Sequence, residues 1–464
     1  MKIFYFFLFQ ALLNMMIISA NAQAVKNVFP TPQQRDWANA EIGVIIDLDM
    51  NIFAPDTYQY GQKKTLPSLS VFHPSKLNTD QWIAAAKSAG AKYAVLVAKH
   101  GTGFSLWPTK ANDYTISQTP WKNGKGDVVA DFIKSCKKYG IKPGLYYSVN
   151  SSTLYETENN MSDSARKEYN KIVLKQLTEL WTQYGKLFEI WFDGGILPTS
   201  KGGVSEQIAD LIKKYQPQAI LFQGPSISKN LIRWIGNENG DAPYPMWSRA
   251  DTTTSSNGMV EIKGLNGNPD GNIWCPGESD FPNRLKSAWE GGWFWRVNRD
   301  EDILPLSDFI QRYYTTVGRN TNMLIGMGID TSGQFPEKET AIFGEFGKEI
   351  KKRFAKSISE TKGSGNELIL NLSNKPVKVN TISIMEDITK GENIRKYSVE
   401  AWINNKWESV CDGISVGHKR IQNFNAVQTD KLRLKILQSN QMPLIKNFAA
   451  YDIEGGYTAQ GTKQ

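Results

Sequence analysis

The chain is poor in cysteine and histidine. Its three cysteines, Cys136, Cys275 and Cys411, are far apart and odd in number, which argues against a disulfide framework and a Cys-rich zinc cluster. Stability therefore has to come from packing. The three histidines, His73, His100 and His418, fall in a Pro-flanked loop, at a strand end and in the C-terminal region. A three-His metal site would consume them all, so no metal and no cofactor is expected. No glycine-rich fingerprint follows a strand and opens a helix, which removes the best support for a dinucleotide-binding sheet. Basic residues outnumber acidic ones, 54 to 46, but they are scattered. The densest run, Lys351-Lys352-Arg353, reads as a solvated helix end, so no nucleic-acid partner is expected.

There is only one long apolar run. Lys2 precedes the mostly apolar Ile3 to Ala20, and Ala20-Asn21-Ala22 forms a small-x-small cleavage pattern. Residues 1–22 are expected to be a signal peptide, with a mature start near Gln23 and an exported, periplasmic or secreted product. The run could also hold as an uncleaved anchor, but the cleavage pattern favours removal, after which no membrane span is expected. No Cys follows the site to take a lipid.

What is present is a globular composition, 40% hydrophobic and 22% charged, with 14 Trp and 18 Tyr. Aromatic side chains on this scale suit carbohydrate stacking as well as an ordinary core. At 464 residues the chain is too long for one core, so a large and a smaller domain are expected. Strand and helix patterns alternate: strand Ile42 to Asp49, helix Leu77 to Gly90, strand Ala91 to Ala98, helix Asp127 to Tyr139, strand Lys142 to Val149, helix Met161 to Tyr184, a strand ending at Asp193, helix Val204 to Tyr215 and strand Ala219 to Gln223. This alternation implies parallel strands with helical crossovers. Polar and aromatic residues collect at strand ends, namely Asp47, His100, Tyr146, Tyr147 and Asp193. The ends of barrel strands are where a (β/α)8-type barrel carries its chemistry, and such a barrel is predicted over residues 23–356. Past Ser357 the pattern becomes short alternating strands between Gly/Asn/Asp turns, predicting a linker at Gly363-Ser364-Gly365 and a C-terminal β-sandwich over 357–464. With no aromatic cluster legible on it, the sandwich reads as a support.

The chemistry centres on Phe188-Glu189-Ile190-Trp191-Phe192-Asp193-Gly194-Gly195. An apolar run ends in a carboxylate and two glycines, so a buried strand delivers Asp193 to its C-terminal lip. The same residues also suit a plain Asp-Gly turn. Glu238 follows an apolar run in Trp234-Ile235-Gly236-Asn237-Glu238, and Glu278 stands in Trp274-Cys275-Pro276-Gly277-Glu278. Two carboxyls, one ionised nucleophile and one proton donor, are what glycosidic cleavage needs. Taken singly, each Glu also fits a helix cap or a surface position.

Several segments resemble glycoside hydrolase family 29, the α-L-fucosidases: Asp80-Gln81-Trp82, Ala98-Lys99-His100 through Trp107-Pro108, Pro120-Trp121-Lys122-Asn123-Gly124-Lys125-Gly126-Asp127, Gly144-Leu145-Tyr146, Trp191-Phe192-Asp193-Gly194 and Arg233 to Glu238. The likeness is greatest to the branch acting on α-1,3/1,4-linked fucose. It implies a retaining exo-glycosidase taking fucosylated oligosaccharides or glycans, with Asp193 as nucleophile and Glu238 as acid/base. Glu278 is implied as a reserve acid/base or a sugar contact, and Asp47, His100, Trp107, Tyr146 and Trp191 as substrate-binding residues. Two departures stand out. Asp47 occupies a strand end where the family usually has His, and His100-Gly101-Thr102-Gly103-Phe104 keeps one histidine of the usual pair. A related L-sugar such as an α-L-galactoside, or carbohydrate binding without catalysis, therefore stays open.

Overall fold

The computed structural model describes residues 28–56, 58, 65–149, 152–155, 161–225, 228–254 and 260–455. The expected signal peptide lies outside the described residues.

Eight parallel strands close into a barrel. In chain order they are β1 (Ile42–Asp47), β2 (Tyr93–Lys99), β3 (Lys142–Ser148), β4 (Glu189–Asp193), β5 (Ile220–Phe222), β6 (Leu231–Trp234), β10 (Gly277–Phe281) and β11 (Thr321–Gly328). Closure comes from β11 pairing with β1, Ile42 opposite Met323 and Asp47 opposite Gly328. The strands are buried almost throughout, because helices cover the outside and side chains fill the inside.

After a short α1 (Pro32–Ala38), the outer layer comprises α2 (Thr79–Ser88), α3 (Val128–Tyr139), α4 (Asp163–Gln183), α5 (Ser205–Tyr215), α6 (Leu306–Thr315) and α7 (Glu337–Phe354). Asn78 caps α2 by accepting from the N–H groups of Asp80 and Gln81. Asp127 caps α3 through Ala130, and left-handed Gly140 ends it, as orphan helix-end groups require. The predicted alternation is therefore real, with two breaks. No helix is described between β5 and β6, and the excursion from β6 to β10 is a three-stranded sheet of β7 (Arg249–Thr254), β8 (Val260–Lys263) and β9 (Ile273–Trp274).

The C-terminal region is a sandwich of two antiparallel four-stranded sheets. One is ordered β12 (Ser359–Ser364), β19 (Leu444–Tyr451), β14 (Val377–Glu386), β17 (Arg420–Thr429). The other is ordered β13 (Glu367–Asn371), β18 (Lys431–Ser439), β15 (Ile394–Ile403), β16 (Lys406–Gly413). The linker expectation is corrected. Gly363 and Ser364 end β12, and Gly365, with φ 109°, turns the chain into β13. Glycine there serves the turn that carries the chain from one sheet of the sandwich into the other.

The sandwich docks where the barrel strands begin. Glu41, just before β1, pairs with Lys419 and with His418 Nε2 at 3.4 Å. Asn320, just before β11, donates to Glu392 Oε1 (2.6 Å) and accepts from the His418 N–H (2.7 Å). The opposite, C-terminal ends are left uncovered by it. Among the described residues no helix is long and apolar enough to cross a membrane.

Candidate active site

At the C-terminal ends of the barrel strands lies a cavity of about 680 Å³. Three aromatic rings, His100, Tyr146 and Trp191, build one wall of it, with a fourth, buried Phe222, stacked behind. His100 follows β2, Tyr146 is on β3, Trp191 on β4 and Phe222 on β5, and the registers place Tyr146 beside Trp191 and Trp191 beside Phe222. The rings form a slipped pile: His100 to Tyr146 5.9 Å, Tyr146 to Trp191 5.2 Å, Trp191 to Phe222 3.8 Å between centroids, all within about 21° of parallel. Offset stacking of this kind makes a stiff apolar surface. Phe294 meets the His100 ring edge-on at 4.9 Å, and Trp289 and Trp293 complete the far side.

Carboxyl groups line the rest. Asp193, the last residue of β4, accepts a hydrogen bond from the Tyr146 hydroxyl at one oxygen and from the Gly194 N–H at the other (2.7 Å). Two fixed donors set its orientation toward the cavity. Glu238 reaches in from the loop after β6, Asp280 from β10, Asp47 from β1 and Glu290 from the segment before Trp293. Asp280 accepts from the Trp234 indole N–H (2.9 Å). Burial, then the charges of Glu238 and Glu278, push its proton affinity well above the usual carboxylate range. Asp47 is pushed up likewise, by burial first and then by Glu238, Asp193 and Asp49. Burial lowers His100 to about 4 despite the pull of Asp193, so the ring is neutral near pH 7.

The cavity thus brings together six of the predicted residues, Asp193, Glu238, Asp47, His100, Tyr146 and Trp191. Two others stand elsewhere. Glu278 is fully buried inside the barrel, where it accepts from the Tyr93 hydroxyl (2.6 Å) and the Trp191 indole N–H (3.0 Å). It faces Glu189, one of whose oxygens takes the Trp37 indole N–H (3.3 Å) while the other is left without a hydrogen-bond partner. Burial raises the proton affinity of both, and two facing carboxyls without a cation share a proton. Glu278 thereby fixes Trp191 from behind rather than facing the cavity. Trp107 is completely buried, its indole donating to Glu179 on α4 (3.0 Å), so it anchors the loop after β2 to the helical layer. Tyr147 points the same way, to Gln176 (2.6 Å), because successive strand residues face opposite sides. Sequence reasoning missed Asp280, Trp289, Glu290, Trp293 and Phe294. A period-two reading of Gly277–Phe281 would have found Asp280, two residues beyond Glu278 on the same face.

The alpha-L-fucosidase family profile matches residues 23–353. The chain belongs to the alpha-L-fucosidase family. It is accordingly a glycoside hydrolase. It is 30% identical to "Alpha-L-fucosidase 1" of Arabidopsis thaliana, over 96% of this chain and 93% of that protein. A crystal structure from Bacteroides thetaiotaomicron VPI-5482 superposes with TM-score 0.84 at 35% identity, over 92% of this chain and all of that one. A glycoside hydrolase 29 family member from a rumen bacterium matches with TM-score 0.79 at 28% identity, covering 94% and 79% of the two chains. The alpha-L-fucosidase profile ends just short of the sandwich, whereas these likenesses run through it.

Proposed function

We propose that the protein is an exported exo-glycosidase that releases terminal α-L-fucose from oligosaccharides or glycoconjugates with retention of configuration. The observation that carries this reading is that Asp193 and Glu238 open on one aromatic-walled cavity, with the Asp193 carboxylate gripped by Tyr146 and Gly194. Asp193 attacks the anomeric carbon and Glu238 protonates the departing oxygen. Glu238 then activates water to break the glycosyl-enzyme bond. The neutral ring of His100 can give or take a hydrogen bond with a sugar hydroxyl. The ring pile offers an apolar face to the sugar's C–H groups.

Hydrolysis of an aryl α-L-fucoside by the wild type and by Asp193→Asn tests the assignment. The variant is expected to lose about 10⁴-fold or more in kcat/KM, and the first-formed sugar is expected to be the α anomer. A β anomer at first appearance, or an active Asp193→Asn, would sink it. Glu238→Gln is expected to hurt a natural glycan far more than an activated aryl glycoside, since only the former needs its leaving group protonated. The export reading is checked by N-terminal sequencing of the mature protein, expected to begin near Gln23.

A second reading, cleavage of α-L-galactosides, is favoured by Asp47, a buried polar group with an oxygen free in the sugar cavity. A pocket shaped for a methyl group rejects an added hydroxyl by only about a hundredfold. An aryl α-L-galactoside run in parallel separates the two.

A further inference from the structure

Asp47 ends β1 only 4% exposed, lines the cavity, and leaves Oδ2 buried without a hydrogen-bond partner. Such a group is costly unless something completes it. Its electrical surroundings restrict what that can be. The charged groups acting on it are Glu238, Asp193 and Asp49, all carboxyls. The cavity adds Asp280 and Glu290. Neighbouring β2 contributes His100, which is neutral, and Lys99, whose ammonium donates to the Ser148 carbonyl (2.5 Å). From β3 the Tyr146 hydroxyl is spent on Asp193, and on the other side β11 presents uncharged Gly328. An ionised Asp47 would therefore stand among carboxyl groups with no cation against it among the described residues. A carboxyl in that position keeps its proton, and a protonated carboxyl donates as well as accepts.

We propose that Asp47 carries its proton in the resting enzyme and donates a hydrogen bond to a hydroxyl oxygen of the bound sugar. This rests on the cavity being the sugar site. It also keeps negative charge away from Asp193 as the sugar enters, so that the nucleophile is not opposed by a second carboxylate at the same pocket end.

Two measurements on wild type, Asp47→Asn and Asp47→Ala test it. In an infrared difference spectrum at pH 7, wild type minus Asp47→Asn, a protonated-carboxyl C=O band is expected. A carboxylate band in its place would overturn the proposal. In calorimetric titrations with L-fucose and L-galactose, Asp47→Ala is expected to bind the preferred sugar about tenfold or more weakly, while Asp47→Asn, which keeps a donor, stays within about threefold of wild type. Alanine binding as well as wild type, or no sugar binding by the wild type, would also overturn it. If alanine does not fold, the asparagine variant and the infrared band decide alone. A wild type that binds L-fucose yet cleaves neither aryl glycoside would remove the proposed exo-fucosidase activity and leave this one standing.

Discussion

Tyr146 joins the two materials of the pocket, because one phenol both stacks between His100 and Trp191 and donates to Asp193. Tyr146→Phe keeps the stack and deletes the donor. A hydrogen bond to a charged group is worth roughly 1.5–3 kcal/mol, so kcat/KM is expected to fall about 10- to 100-fold with little change in melting temperature. Unchanged kinetics would show that Gly194 holds Asp193 alone. At this scale the sequence was informative where a side chain sits at a strand's end and faces inward, as Asp193, His100 and Tyr146 do. It misled where the neighbour in the pleat faces outward, as Tyr147 does, or where an indole is fastened to a helix, as Trp107 is. Glu278 shows a different failure. Its motif is as carboxylate-rich and aromatic as that of Glu238, and only the barrel's three-dimensional interior, with Glu189 arriving from the opposite side, tells a sharing pair from a working acid.

Among the elements, the strands the pattern revealed are those with apolar runs between well-capped helices. β10 escaped because its sequence, Gly-Glu-Ser-Asp-Phe, carries three polar residues in a row yet is completely buried. A strand filling a barrel with carboxyls defeats a rule that equates burial with apolarity. The helices α2 and α7 make a sharper test of how elements meet. A Cβ on Gly347 in α7 would lie 1.9 Å from the Ser88 carbonyl oxygen at the end of α2. Replacing a helical glycine by alanine ordinarily adds about 1 kcal/mol of stability. Here the two helices would have to part, and overpacking costs about 1–3 kcal/mol. Gly347→Ala is therefore expected to lower the denaturation midpoint. A raised midpoint would show that the α2–α7 contact yields freely.

The whole molecule should be most stable in mild acid. Burial lifts Glu386, which accepts from the N–H groups of Asn393, Ile394 and Gly417 in the sandwich, to about 7. It likewise lifts Asp49, buried just past the end of β1, to about 7 against the pull of the Thr102 hydroxyl. Folded-state proton affinities raised in this way contribute stability that is complete below the unfolded values and is lost as pH climbs to 7, on the order of 1–3 kcal/mol per group. Glu41 works the other way. Burial opposes its charge, but Lys419 and His418 draw it down to about 2, so its share is complete above the unfolded value of about 4.5 and fades as pH falls toward 2. The melting temperature is accordingly expected to be higher at pH 5 than at pH 7 and to drop again below pH 4. A melting temperature that rises steadily from pH 5 to 7 would contradict this.

The pairing of β11 with β1 also has a consequence in time. A nascent chain finishes β1, an unbroken Ile-Gly-Val-Ile-Ile stretch with an open edge, long before its partner exists. The ribosome must add roughly 270 more residues, which at about 5–20 residues per second is on the order of half a minute. Glu41 waits longer still for Lys419. Through that interval the start of the barrel is an unprotected sticky edge, and whatever accompanies the emerging chain has to shield it until the last barrel strand arrives.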